Sequence, residues 1–185
     1  MDVLEAIKGR RATRSFTGEA VSRDVIVGLI DAAIAAPSVM NLQPWSFVIV
    51  EGVERLREMS SRAKDYLLAS SSSTPSFLAS REVLEDQDFN LFYGAPCLVI
   101  VCARPPSRQA TEDCCLAAQN LMLAAHAQGL GSCWIGFVRP WLELSQTRAS
   151  LGLLADQIPV APIVLGRAAT KPQPSQRHRP PIIWN

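Results

Sequence analysis

The segment Arg10-Arg11-Ala12-Thr13-Arg14-Ser15-Phe16 puts three guanidinium groups within five residues. A guanidinium is planar, always charged, and able to grip a phosphate through two parallel hydrogen bonds. The cluster therefore suits a terminal phosphate, although taken alone it equally suits a solvated basic turn. Further on, Pro37-Ser38-Val39-Met40-Asn41-Leu42-Gln43-Pro44-Trp45 sets an amide pair, Asn41 and Gln43, between two prolines. Amides can match the donor and acceptor groups of a heterocycle edge, or simply cap a loop. In Gly129-Leu130-Gly131-Ser132-Cys133-Trp134-Ile135-Gly136 the glycines let backbone approach something flat, or merely turn a helix into a strand. Trp134 stands where a dinucleotide fingerprint needs its third glycine, so that signature is absent. Arg177 and Arg179 alternate near the end of the chain, so an extended backbone would turn both to one side. They could complete a phosphate site or keep a tail soluble.

The chain has two histidines, His126 and His178, which argues against a histidine triad or a multi-histidine metal site. No metal site is expected, and any hard chemistry must come from a bound cofactor. Five cysteines (Cys97, Cys102, Cys114, Cys115 and Cys133) show no CxxC spacing, which argues against both a disulfide framework and zinc. They read as reduced core residues of a cytoplasmic protein. A net charge of +1 gives nucleic acid no purchase, and the 48% hydrophobic and 19% charged shares fit one folded domain of 185 residues. The N-terminus carries acids before any apolar run, unlike a secretory signal, and the longest clean apolar run, Cys97 to Ala103, is far too short to span a membrane.

The elements that must position these residues follow from periodicity. Helices are expected over Val3 to Lys8, from a Ser22 cap to about Ala36, over Val53 to Ala69, and from Thr111 to about Gln128. Strands are expected over Ser46 to Val50, Cys97 to Ala103, Ser132 to Val138 and Ile158 to Leu165, with a loop at Ser70 to Ser76. Their irregular alternation points to an α+β fold. The Thr111 helix is apolar on nearly every side and rich in alanine, so it should be central or packed on a second subunit. Residues 1–170 read as the domain. Residues 171–185, with Pro172, Pro174, Pro180 and Pro181, read as an extended arm anchored by Ile182-Ile183-Trp184.

In this order, the basic triad, Pro-Ser-x-x-Asn-x-Gln-Pro-Trp, Gly-Leu-Gly-Ser-x-Trp-Ile-Gly and the basic tail closely resemble the nitroreductase family of flavoproteins. The resemblance covers nearly the whole chain, least well from about Arg55 to Phe92. It implies a three-layer α/β/α sandwich with a mostly antiparallel central sheet, in an intertwined homodimer with two shared FMN sites. It also implies hydride transfer from NADH or NADPH through flavin N5 to an electron-poor acceptor such as a nitroaromatic or quinone. Arg10, Arg11, Ala12 and Arg14 would line the flavin, with Arg10, Arg11, Arg177 and Arg179 at or near the phosphate. Arg14 would lie at the pyrimidine end, near N1 and O2. Pro37, Ser38, Val39 and Asn41 would come from the other subunit. Backbone of Cys133, Trp134, Ile135 and Gly136 would follow the ring, with an N–H of Ile135 or Gly136 facing N5. The family often has serine where this chain has Ala12 and Val39, so one hydroxyl toward the phosphate and one polar contact near the ring are missing. The resemblance leaves open other flavin chemistry of the family (a dehydrogenase or flavin-fragmenting enzyme) and flavin binding without turnover. The Glu-Tyr-Lys clamp of the deiodinase type is not seen.

Overall fold

The computed structural model describes residues 1–70 and 81–185. Its elements in chain order are α1 (Val3–Gly9), α2 (Arg23–Ile34), β1 (Trp45–Glu51), α3 (Val53–Ala69), β2 (Cys97–Ala103), α4 (Arg108–Ala127), β3 (Gly131–Trp134), α5 (Arg139–Leu142), α6 (Ser145–Ser150) and β4 (Ile158–Gly166). Short 3-10 turns lie at Val39–Asn41 and Gly136–Val138. Of the expected Ser70 to Ser76 loop, all but Ser70 falls outside the described residues.

The four strands form one sheet in the order β1-β2-β4-β3. Every neighbouring pair is antiparallel, as the α+β reading requires. The strand β2 is buried along its whole length because both faces of the sheet are covered. Its Leu98, Ile100 and Cys102 meet Leu56, Met59 and Ala63 of α3 on one side. Its Val99, Val101 and Ala103 meet Leu29 and Ala33 of α2, and Ala117, Ala118 and Leu121 of α4, on the other. The result is a three-layer α/β/α sandwich.

Two boundaries differ from expectation. Helix α4 begins at Arg108, one turn before Thr111, because the Ser107 hydroxyl accepts from Ala110 N at 3.0 Å and caps it. The third strand stops at Trp134 and does not reach Val138. Ile135 N donates to Pro162 O at 2.8 Å, but proline has no N–H to return the bond, and the chain turns into a 3-10 segment. The α4 surface is also less uniformly covered than its composition suggests. Ala117, Ala118, Leu121 and Ala125 are buried, whereas Glu112, Leu116 and Gln119 lie exposed along one stripe.

Apolar side chains are also exposed on several other elements. Exposed large apolar side chains include Val3, Leu4 and Ile7 of α1, Val27 and Ile34 of α2, Val39, Met40 and Leu42 of the loop between α2 and β1, and Leu116 of α4. The arm adds Ile182, Ile183 and Trp184, with Trp184 88% exposed. Apolar exposure on this scale marks an interaction surface.

Candidate functional site

The basic segment lies extended along the edge of the sheet. Ala12 bridges Ser132 in parallel fashion, and Phe16 bridges Ala168 in antiparallel fashion. Thr13 N donates to Ser132 O at 3.0 Å, and Ala169 N to Ser15 O at 2.9 Å. Gly131 makes this docking possible. A Cβ built on it would sit 2.5 Å from Thr13 Oγ1 and 2.8 Å from Thr13 Cβ. The two motifs, more than a hundred residues apart in sequence, therefore form one wall.

This wall is strongly cationic. None of Arg10, Arg11, Arg14, Arg177 and Arg179 joins an ion pair among the described residues. Burial and the neighbouring charges of Arg177 and Arg11 lower the pKa of Arg10, while Cys133 acts in the opposite sense. The arm thus brings Arg177 within electrostatic range of Arg10; Arg177 and Arg179 are both exposed. Arg11 donates to Lys8 O and Arg10 O, both at 2.7 Å, yet its Nε is buried with no partner. Ser132 Oγ is buried and unpartnered too. Buried polar atoms without partners are rare and call for an explanation. A cleft of about 300 Å³ opens beside them, bounded by Arg10, Arg11, His126, Ser132 and Lys171 among others. An uncompensated guanidinium cluster with two orphaned polar atoms and a glycine-lined edge fits a phosphate-bearing ligand. Ala12 offers no hydroxyl there; Ser132 and Thr13 supply the nearby ones.

Beyond the cluster the wall changes character. Arg14 lies close enough to the Tyr93 hydroxyl to act on it electrostatically. Burial and Cys133 raise the pKa of that phenol, and Arg14 lowers it. Burial likewise raises the Cys133 thiol, against the pull of Arg14 and Arg10. Tyr93 and the buried Ile135 also line an apolar pocket of about 220 Å³ with Val83, Leu84, Phe89, Leu91 and Phe137. The Tyr93 ring meets Phe89 edge-on at 5.9 Å, and its backbone is left-handed at φ 57°. Behind the pocket, Lys64 of α3 is buried and donates to Asp86 O at 2.8 Å and Phe89 O at 3.0 Å, and Ser60 Oγ accepts from Leu91 N at 2.8 Å. Of the two N–H groups proposed from sequence, that of Ile135 is occupied by Pro162 O. Gly136 is the remaining candidate, exposed at the start of a 3-10 turn, where the first N–H groups have no partner within the turn.

The Pro37–Asn41 segment lies elsewhere. Met40, Asn41 and Gln43 are left-handed, at φ 49°, 57° and 49°. For residues other than glycine this costs of order 1–3 kcal/mol each and is characteristic of functional segments. Ser38 Oγ accepts from Gln43 N at 3.0 Å, and Gln43 Nε2 donates to Asn41 Oδ1 at 3.1 Å, so the amide pair partly satisfies itself. Val39 N donates to the buried carboxylate of Asp113 at 3.2 Å. Asp113 is thirteen residues before His126 on α4, or about 20 Å along the helix axis. The loop feeds β1, and the glycine-rich segment forms β3, the opposite edge of the sheet. Three strand spacings add about 14 Å. Within one chain the structure brings together Arg10, Arg11, Ala12, Arg14, Cys133, Ile135 and Arg177, and holds Pro37, Ser38, Val39 and Asn41 apart from them.

Residues 7–167 match the model of the nitroreductase family. This chain belongs to that family. A Methanothermobacter thermautotrophicus protein provisionally named NADH dehydrogenase/NAD(P)H nitroreductase is 30% identical over 176 residues, covering 93% of this chain and 80% of that protein. A nitroreductase from Bacteroides fragilis solved with bound FMN superimposes with a TM-score of 0.83 at 29% identity, covering 97% and 95% of the two chains. A second FMN-bound nitroreductase, from Desulfitobacterium hafniense, gives 0.83 at 28% identity over 100% and 98%. To the candidate site the structure adds residues that sequence reasoning passed over: Thr13, Tyr93 and Ser132 on the wall, and Asp113 beneath the Pro37–Asn41 segment. Ser132 stood within a motif already singled out. Tyr93 precedes Gly94, also left-handed at φ 72°, and a Tyr-Gly pair after an aromatic run is the signal that could have flagged it.

Proposed function

We propose that this protein is an FMN-dependent oxidoreductase that uses NADH or NADPH to reduce an electron-poor acceptor such as a nitroaromatic or quinone. The observation that carries the reading is the unpaired guanidinium cluster with its orphaned Arg11 Nε and Ser132 Oγ. It is a built anion site at the end of an extended wall. FMN, when bound, supplies the capacity to take hydride from a nicotinamide and pass it on. Arg10, Arg11 and Arg177, with Arg179, hold the phosphate through charge-assisted bonds. Arg14 presents its cation to the pyrimidine end, where negative charge is favoured by a fixed positive neighbour. The Gly136 N–H would be the donor toward flavin N5. The pocket beside Tyr93 and Ile135, lined by Leu84, Phe89, Leu91 and Phe137, would receive an uncharged acceptor.

The site is completed by a second copy of the chain. Pro37, Ser38, Val39 and Asn41 lie on the far side of the subunit from their intended partners. A two-fold axis through the middle of α4 carries each loop to the other subunit's wall. The same axis covers the exposed apolar surface of α1, α2 and α4, and the arm 171–185 then clasps the partner, separate from the 1–170 domain. Five unpaired cysteines fit a reducing compartment, the cytoplasm.

The test is a visible spectrum of the purified protein, followed by anaerobic addition of NADH or NADPH and chromatography of the heat-released flavin. A yellow protein that bleaches and releases FMN supports the reading. A colourless protein that takes up no FMN ends it. A yellow protein that neither nucleotide bleaches is a binding protein and not this enzyme.

A further inference from the structure

We infer that Asp113 is a positioning residue for the half-site that one subunit lends to its partner. The inference rests on the functional reading above, and it concerns a residue of α4 that touches neither the arginine wall nor the acceptor pocket.

Asp113 is 5% exposed and sits among Ala110, Cys114 and Ala117 on the packed side of α4. A buried carboxylate is costly unless hydrogen bonds hold it. Here both oxygens converge on a single donor, Val39 N, at 3.3 and 3.2 Å. That donor lies in the most strained stretch among the described residues, with three left-handed residues between positions 40 and 43. The other bonds of the loop are internal: Asn41 N to Ser38 O and Leu42 N to Val39 O, both 3.0 Å, and the Ser38 and Asn41–Gln43 contacts. Among the described residues, Asp113 supplies the only side-chain hydrogen bond that ties Val39–Gln43 to the body of the fold. Met40 at 90% and Leu42 at 69% exposure show that packing within the subunit does not hold the loop. A strained, outward-facing loop persists only where something over-determines it, and the carboxylate is that anchor. Because α4 also carries the exposed stripe, one helix both meets the partner and aims the loop into the partner's site.

Two variants separate anchoring from folding. Asp113→Asn keeps an oxygen for Val39 N, and Asp113→Ala removes it. Amide hydrogen exchange on FMN-free protein should show faster exchange at residues 39–43 in Asp113→Ala and near-native exchange in Asp113→Asn, with thermal melting as the check on folding. FMN retention should fall by about tenfold in Asp113→Ala. The decisive form uses co-expressed, differently tagged subunits and counts tightly bound FMN per dimer. With Arg10→Ala on one subunit and Asp113→Ala on the other, both lesions fall in one site, and the dimer keeps one full-affinity FMN. With both changes on the same subunit, each site carries one lesion and none is intact. The opposite pattern, or unchanged loop exchange, or FMN affinity within twofold of wild type, overturns the inference. Failure of the wild type to bind FMN would instead sink the functional reading, and the exchange experiment would still decide whether Asp113 anchors the loop.

Discussion

Replacing Gly131 with alanine perturbs the wall without touching any charged group. Ordinary contact begins near 3.4 Å, and the new Cβ would lie 2.5 Å from Thr13 Oγ1, so the basic segment or β3 must retreat by about 0.9 Å. The atoms met are the branched side chain of a residue only 2% exposed, not the end of a flexible one. A retreat of that size stretches the 3.0 Å bond from Thr13 N to Ser132 O beyond hydrogen-bonding range. One lost bond costs about 1 kcal/mol, and overpacking generally costs 1–3 kcal/mol. If about 1–3 kcal/mol of this cost is felt at Arg10, Arg11 and Arg14 when FMN binds, its affinity should fall by roughly 5- to 150-fold at about 1.4 kcal/mol per tenfold. The assay is quenching of FMN fluorescence on titration with apoprotein, alongside thermal melting. Thr13→Gly in the Gly131→Ala background removes the clashing atoms and should recover part of the affinity. A Gly131→Ala protein with wild-type melting and FMN affinity within twofold would refute the docking described for this wall.

Arg14→Ala should lower the reduction potential of bound FMN by a few tens of millivolts, since one interaction with a charged form corresponds to roughly 1.5–3 kcal/mol over a two-electron couple; an unchanged potential with FMN retained would put Arg14 away from the ring. Asn41→Ala and Arg177→Ala should each weaken FMN retention in equilibrium dialysis, and a change under about twofold in both (~0.5 kcal/mol) would reject both ends of the site. In the FMN-free protein with Tyr66 replaced by phenylalanine, Tyr93 is the only tyrosine left to titrate, and Arg14→Ala should move its ionisation upward, because Arg14 lowers that pKa; no shift would mean the two do not touch. Burial pushes Cys97, Cys102 and Cys114 up from 9.0 to about 12. The folded state therefore holds those protons more tightly than the unfolded one, and its stability should be full below about pH 9 and decline toward pH 12. Urea unfolding across that range should show a shallower decline in Cys102→Ala, and an unchanged slope would contradict the assignment.

Most of the fold could be read from local signals. The run Cys97–Ala103 has the length and composition of a strand covered on both faces, and Ser22 has the position of a cap. The two boundary errors have different origins, one in a local cap and one in a distant strand. Helix α4 starts early because Ser107 follows two prolines, and β3 ends early because Pro162, on another strand, cannot donate. The site divided in the same way. Arginines and glycines announce themselves by type and spacing, so Arg10, Arg11, Arg14 and Gly131 were visible as candidates. Tyr93 and Asp113 acquire meaning only through their partners, Arg14 and Val39, and no spacing within their own segments records those contacts. The N–H of Ile135 failed as a candidate for the same reason, since its acceptor lies on β4.

The central claim is that two copies of this chain build each FMN site between them. Sedimentation of the FMN-loaded protein, followed at both protein and flavin wavelengths through a dilution series into the sub-micromolar range, tests it directly. Flavin should travel with a species of twice 20.2 kDa, and flavin and partner should be lost together as the dimer dissociates. Flavin that stays bound to a stable 20.2 kDa monomer would contradict the shared site.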